Sequence, residues 1–218
     1  MDWIREAIDF VLHLQDHLYD LTRSQGPWIY AILFLIIFCE TGLVITPFLP
    51  GDSLIFAVGA VAANPASGLN VWLAGALMIL AAFVGDTVNY WIGRFAGQRL
   101  SAAFPRVIKP EYLARTHAFF EKYGGKTIIL ARFVPIVRTF APFVAGMGAM
   151  NYPRFMSFNM IGAVAWVGLI LPAGWYLGQF EFVKKRFELI VLAIIFISLL
   201  PMAFEFWRAR REAKAKVT

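Results

Sequence analysis

The sequence predicts an all-α integral membrane protein that crosses the bilayer several times. Of its 218 residues, 60% are hydrophobic and only 16% are charged, whereas about a quarter of the residues in a soluble domain are charged. Asp, Glu, Lys and Arg are absent from three long stretches, residues 53–85, 155–180 and 189–204. A helix needs about 20 apolar residues to span a hydrocarbon core of about 30 Å. A soluble protein could bury one such stretch, but three in succession indicate a membrane protein.

Positive charges lie beside the apolar stretches, as membrane topology requires. The net charge is +6, and residues 94–126 and 208–218 are rich in Lys and Arg. Because positively charged loops stay in the cytoplasm, both regions are predicted to be cytoplasmic. This placement argues against nucleic acid as a partner. The lone Cys39 excludes an internal disulfide.

One membrane domain is predicted over residues 1–207. It contains two copies of an amphipathic helix, a broken hydrophobic segment and a transmembrane helix, followed by a C-terminal transmembrane helix. The predicted elements are an amphipathic helix (1–25), a re-entrant hairpin (27–63), a transmembrane helix (70–94), a basic cytoplasmic loop with an amphipathic helix (94–126), a second re-entrant hairpin (126–150), two transmembrane helices (155–180 and 187–207) and a basic cytoplasmic tail (208–218).

Proline and glycine break two of the hydrophobic segments. Proline inside a helix removes a backbone hydrogen bond and clashes with the preceding turn. We therefore predict that Pro47, Pro50 and Gly51 break the first segment, and that Pro135 and Pro142 break the second. Each half is too short to span a bilayer alone, so each segment is predicted to enter and return, or to complete a broken span.

The basic loop places the two broken segments on opposite sides of the membrane, which makes the repeat inverted. Inverted repeats whose broken helices meet near the midplane are typical of secondary transporters, which build their substrate sites there. The pattern thus favours a transporter.

Five charged residues lie in apolar surroundings. Each would cost about 2.5 to 3.5 kcal/mol at the bilayer centre, and together they would rival the net stability of a fold, about 5 to 15 kcal/mol. They are therefore expected to pair, to face water, or both. They are Glu40, Asp52, Asp86, Arg132 and Arg138.

Arg132 and Arg138 lie on either side of Pro135. A helix broken at the proline lets both guanidiniums converge on one cavity. Guanidiniums grip phosphate in a bidentate manner, so the pair is predicted to bind an anionic substrate. The alternative is that the two arginines only neutralise Glu40 and Asp52.

Glu40 and Asp52 flank the first break and are the candidates for proton coupling. Burial disfavours the charged form of a carboxyl group and a nearby arginine favours it, so such a group can load and release protons. Asp52 also stands where a helix cap belongs, and capping explains it equally well. Asp86 is predicted as a polar packing contact first and a site residue second. Gly85 and Gly93, on the same segment, predict close helix packing.

No enzyme motif is present in the sequence. It contains no phosphate-binding Gly-Lys-Ser/Thr loop and no cluster of metal ligands, and no Ser-His-Asp set falls in the apolar region. We therefore expect a protein that is not an enzyme and that needs no cofactor or metal.

Four longer motifs resemble the DedA family of bacterial inner-membrane proteins, which is related to the SNARE-associated or VTT-domain lipid scramblases. The similar region runs from about residue 3 to residue 205. The motifs are Phe-Cys-Glu-Thr-Gly at 38–42, Pro-Phe-Leu-Pro-Gly-Asp-Ser-Leu at 47–54, Gly-Asp-x-x-Asn-Tyr-x-Ile-Gly-Arg at 85–94 and Ala-Arg-Phe-Val-Pro-Ile-Val-Arg-Thr-Phe-Ala-Pro-Phe-Val-Ala-Gly at 131–146.

This resemblance implies a multi-pass inner-membrane translocator, similar to a flippase or scramblase, with facing re-entrant hairpins. Its implied cargo is a polyprenyl phosphate such as undecaprenyl phosphate, or another anionic lipid, moved with the proton motive force. Glu40 and Asp52 would couple protons, and Arg132 and Arg138 would bind the phosphate. Protons and membrane lipids are the other implied partners, and a homo-oligomer is left open. The alternative is a proton-coupled antiporter or small-ion transporter.

Overall fold

The computed structural model describes residues 26–43, 51–103, 124–187, 189–190, 192–194 and 196. All regular structure in these ranges is helical, which confirms the all-α prediction there. A short 3₁₀ turn, Pro65–Ser67, also occurs. The α-helices are α1 (Trp28–Gly42), α2 (Gly51–Ala62), α3 (Val71–Ala103), α4 (Gly125–Ala131), α5 (Pro135–Met147), α6 (Tyr152–Leu177) and α7 (Glu181–Lys185).

Several predicted elements lie outside the described residues. These are the first amphipathic helix at 1–25, most of the basic loop at 94–126, the tail at 208–218, and Pro47 and Pro50. Only the first part of the predicted C-terminal helix at 187–207 is described, and the described residues from 187 to 196 are helical.

Two of the described helices are long and apolar enough to cross a membrane, α6 over its full length and α3 over Val71–Ala96. Only 39% of the most apolar stretch of each is buried. Large apolar side chains such as Ile161 and Leu169 on α6 are exposed. An apolar surface of this extent suits lipid rather than water. Helix α3 continues past the predicted end at residue 94 to Ala103.

The helices other than α3 and α6 are short. Helix α1 has 15 residues and ends at Gly42, and α2 has 12 residues and begins at Gly51. Helices α4 and α5 are separated by a turn, and α5 begins at Pro135, a position where proline lacks only an N–H that would have no partner anyway. The prediction that Pro142 also breaks this segment is wrong, because α5 continues through it to Met147. A proline there removes one backbone hydrogen bond, and close packing of α5 on α3 holds the helix together.

The short helices pack against the long ones in a crossed order. Helix α1 packs on α3 and α2 on α6, whereas α4 packs on α6 and α5 on α3. Helices α3 and α6 also contact each other. The buried apolar side chains form one cluster among α1, α2, α3 and α6 and another among α3, α4, α5 and α6. The buried charges lie among these four pairs of helices.

Glycine brings the crossing helices into backbone contact. A Cβ atom at Gly93 of α3 would collide with the carbonyl of Phe143 of α5, and one at Gly146 of α5 would collide with the carbonyl of Tyr90. Gly59 has the same role in α2, where a Cβ would collide with a carbonyl of α6. Small residues at such crossings let membrane helices approach closely.

Candidate functional site

Arg138 joins the second pair of short helices to the first pair. It lies in the first turns of α5 and donates hydrogen bonds from both terminal nitrogens. Its Nη1 lies 2.8 Å from Oδ1 of Asp52 in the first turn of α2, and its Nη2 pairs with Oε1 of Glu40 near the end of α1. Glu40 is buried and Arg138 is largely buried, with side chains 1% and 10% exposed. One guanidinium thus bridges two acids that lie on different helices.

Glu40 also holds the start of α2. Its Oε1 accepts a hydrogen bond from the backbone N–H of Gly51 at 3.2 Å, one of the N–H groups that a helix start leaves unpaired. A Cβ atom at residue 51 would collide with the Glu40 carboxylate, so a larger residue there would displace this carboxylate. The other oxygen, Oε2, is buried and has no hydrogen-bond partner among the described residues. Glu40 therefore has one carboxylate oxygen that accepts no hydrogen bond from a described residue.

Arg132 forms a separate pair with the two long helices. It lies just after α4, and its Nη2 donates to Oδ2 of Asp86 on α3 and to Oδ1 of Asn159 on α6, the latter at 2.6 Å. Asn159 in turn donates to the carbonyl of Phe83 at 3.0 Å. Arg132, Asp86 and Asn159 are all buried. The Nη1 of Arg132 is buried without a hydrogen-bond partner among the described residues.

Trp166 contacts both groups of charges. It lies near the middle of α6, is buried, and donates from Nε1 to Oδ1 of Asp52 at 2.8 Å. The Cζ atoms of Arg138 and Arg132 lie 4.9 Å and 5.8 Å from the centre of a Trp166 ring. Both distances are within the range of cation–π attraction. The indole is therefore the common neighbour of the two arginines.

Asn89 of α3 links two other helices, α1 and α5, through hydrogen bonds. Its side-chain nitrogen donates to the carbonyl of Thr41 on α1 at 3.1 Å and to the carbonyl of Thr139 on α5 at 2.7 Å. Its Oδ1 is buried without a partner among the described residues. Buried polar atoms rarely lack a partner, so Asn89 Oδ1, Glu40 Oε2 and Arg132 Nη1 each have a hydrogen-bonding capacity that no described residue uses.

The structure shows which acids the two predicted arginines contact. Arg138 pairs with both Glu40 and Asp52, as the neutralisation alternative requires for one arginine, but Arg132 pairs with Asp86. The phosphate-binding and proton-coupling roles stay predictions. In the described part of the chain, no group of three or more His, Cys, Asp and Glu side chains could hold a metal ion.

Reasoning from the sequence missed Trp166 and Asn159. Both lie within an apolar span, where an aromatic residue is usually a packing residue. A signal was present, since tryptophan prefers the ends of membrane spans and Trp166 lies in the middle of one. The asparagine is likewise a polar residue in a stretch where its amide needs partners.

Comparison with known proteins decides the family. Residues 49–176 match the family model of the VTT domain, a range that includes Asp52, Arg132 and Arg138. The chain is also 54% identical to protein DedA of Escherichia coli strain K12, over 98% of both chains. It belongs to the DedA family. Membership of the DedA family confirms the resemblance seen in the sequence and makes this a membrane protein.

Other DedA-family relatives are more distant. An uncharacterized membrane protein of Mycobacterium tuberculosis strain H37Rv is 46% identical over 83% of this chain and 81% of its own. The inner membrane protein YqjA of Escherichia coli strain K12 is 32% identical over 81% of this chain and 80% of its own. No solved structure matches the chain.

Proposed function

We propose that this DedA-family protein is a proton-coupled translocator of lipid phosphates in the bacterial inner membrane. Its cargo would be a polyprenyl phosphate such as undecaprenyl phosphate, or another anionic lipid. The observation that carries the proposal is the contact of Arg138 with both Glu40 and Asp52. The proposal needs no covalent chemistry, cofactor or metal ion.

The geometry of Arg138 favours phosphate as the ligand. Its two terminal nitrogens already bind two carboxylate oxygens that belong to different side chains. A phosphate presents several oxygens on one atom and can accept both hydrogen bonds of the planar guanidinium at once. The unpartnered Nη1 of Arg132 supplies a further donor beside the same tryptophan. An anion of this shape can therefore replace the two acids at Arg138.

The charge balance of the site favours coupling to protons. The described site contains two arginines and three acids, Glu40, Asp52 and Asp86. A phosphate bound to Arg138 would leave Glu40 and Asp52 without their cation. A buried carboxylate that loses its cation is costly. Glu40 is the more deeply buried of the two acids, with its side chain 1% exposed against 20% for Asp52. Glu40 should therefore take up a proton when the anion binds, whereas Asp52 keeps its charge and its hydrogen bond from Trp166. Protons moving inward with the proton motive force would then accompany a lipid phosphate moving to the cytoplasmic face.

The crossed packing supports the inverted repeat and the re-entrant hairpins that we propose for this chain. In each half, the first short helix packs on the long helix of its own half, α1 on α3 and α4 on α6. The second short helix packs on the long helix of the other half, α2 on α6 and α5 on α3. Two copies related by an axis in the membrane plane would produce this exchange. Several crossings of the membrane follow from such a topology.

Binding and transport in purified systems would test the proposal. In nanodiscs, the protein should bind a polyprenyl phosphate and should not bind the matching polyprenyl alcohol. In liposomes with an imposed pH gradient, the phosphate should move with the protons and stop when the gradient is collapsed. Equal binding of alcohol and phosphate would rule out a phosphate site. Phosphate transport that ignores the gradient would rule out proton coupling.

A second candidate is a proton-coupled antiporter or small-ion transporter. The buried, unpartnered Oε2 of Glu40 favours it, because a free carboxylate oxygen can accept a proton or a cation without any lipid. Dissipation of a pH gradient by an inorganic cation, in liposomes that contain no polyprenyl phosphate, would support this candidate over the first.

A further inference from the structure

Two tryptophans of α6 lie in opposite environments. Trp175, near the end of the helix, is 43% exposed, whereas Trp166, near the middle, is 1% exposed. The first fits the preference of tryptophan for membrane interfaces. The second is large, carries an N–H that needs a partner when buried, and lies among the charges of the site. Its position calls for a reason other than interfacial anchoring.

Trp166 and Arg138 share an acceptor. The Nε1 of Trp166 and the Nη1 of Arg138 each lie 2.8 Å from the same oxygen, Oδ1 of Asp52. The Arg138 guanidinium also lies over the indole, with its Cζ atom 4.9 Å from the ring centre. The indole thus contacts both members of the pair, the cation through its ring and the acid through its N–H.

We propose that Trp166 is a positioning residue for ligand exchange at Arg138, an inference that rests on the proposed function. When the phosphate replaces the acids, the indole ring keeps the guanidinium in place and the N–H stays hydrogen-bonded to Asp52. In the empty site Asp52 has Arg138 as well, so the tryptophan N–H contributes less there. In the occupied site the same N–H matters more, and Trp166 therefore raises the affinity for the anion.

Trp166 also lies beside the second arginine. The Cζ atom of Arg132 is 5.8 Å from the centre of a Trp166 ring, so both guanidiniums lie against the indole. The unpartnered Nη1 of Arg132 therefore belongs to the same site as Arg138. An aliphatic side chain at residue 166 would supply neither the N–H nor the aromatic face.

The test measures binding of farnesyl phosphate, a short polyprenyl phosphate, to the full-length protein in nanodiscs, with farnesol as the uncharged control. Trp166→Phe keeps an aromatic ring but loses the N–H, and should weaken farnesyl phosphate binding about tenfold, since a hydrogen bond to a charged group is affected. In an Asp52→Ala background the same change should alter the affinity by no more than about twofold, the usual error of additivity. Trp175→Phe, the matched control on the same helix, should leave the affinity unchanged.

Other results would contradict either the role of Trp166 or the phosphate site itself. Equal losses from Trp166→Phe with and without Asp52 would make Trp166 a packing residue and overturn the positioning role, while the phosphate site would stand. Wild-type protein that binds farnesyl phosphate no better than farnesol would overturn both the proposed function and this inference. Thermal unfolding of every variant checks folding. If Trp166→Phe is unstable, Trp166→Leu, which also lacks the N–H, should lose less affinity in the Asp52→Ala background than with Asp52 present.

Discussion

Replacing Arg138 with lysine separates its charge from its shape. The guanidinium uses two separate nitrogens for Asp52 and Glu40, which lie on different helices, whereas the ammonium of lysine carries all its donors on one nitrogen and cannot span both acceptors in the same way. Arg138→Lys should therefore lose one of two charge-assisted hydrogen bonds, to the acids or to a bound phosphate. Such a bond contributes about 1.5 to 3 kcal/mol, so affinity for a polyprenyl phosphate should fall by about ten- to a hundredfold.

Arg132→Lys is the matched comparison. Both side-chain hydrogen bonds from Arg132 to described residues come from a single nitrogen, Nη2, and the ammonium of lysine carries three donors on one atom. The lysine should therefore keep the contacts to Asp86 and Asn159, and the protein should unfold at a temperature close to that of the wild type. Its phosphate affinity should still fall, because the unpartnered Nη1 is gone.

The assay is binding of a polyprenyl phosphate to wild-type and variant protein in nanodiscs, with thermal unfolding measured in parallel. Unchanged affinity in well-folded Arg138→Lys would show that any positive charge suffices there. Arg138 would then only neutralise the two acids, and the phosphate site would have to be given up.

Three further results are expected. Glu40→Gln and Asp52→Asn should reduce transport driven by a pH gradient more than Asp86→Asn does, because only the first two pair with the exchangeable cation; full transport by both would remove proton coupling. Asp86→Asn should instead lower the unfolding temperature, since it weakens a buried ion pair by about 1.5 to 3 kcal/mol; an unchanged unfolding temperature would contradict this. Gly93→Ala should destabilise the protein by about 1 to 3 kcal/mol through overpacking. Gly168→Ala, where a Cβ meets nothing within 4 Å, should leave the stability unchanged or raise it. Equal changes in unfolding temperature for the two variants would contradict close contact at Gly93.

The charged residues of the site could be found from the sequence, but their partners could not. A charge in an apolar stretch is a local signal, visible without any knowledge of the fold. Partner choice depends on which helices cross, and Arg132 meets Asp86 rather than Glu40 because α4 packs on α6 and α6 contacts α3. Trp166 was missed because burial of its N–H against Asp52 is a tertiary fact.

Of the two prolines predicted to break the second hydrophobic segment, one begins a helix and the other lies inside it. Pro135 begins α5, in agreement with the preference of proline for the first position of a helix. Pro142 has the same local preference against a helix interior, but α5 continues through it. The contacts of α5 with α3 outweigh one missing hydrogen bond, and the strength of such contacts is not visible in the local sequence.

The partners of the two arginines indicate which of them can exchange ligands. Arg132 is held by α3 and α6, the two long helices, whereas Arg138 is held by the short helices α1 and α2. If Arg138 releases its acids, each acid keeps another donor. Glu40 keeps the N–H of Gly51 at the start of α2, and Asp52 keeps the N–H of Trp166. Because each released acid still accepts a hydrogen bond, the free-energy cost of exchange at Arg138 should be lower than that of breaking an isolated buried ion pair, about 3 to 5 kcal/mol. If the proposed exchange takes place, the contacts of Arg138 with α1 and α2 should therefore open while those of Arg132 with α3 and α6 remain.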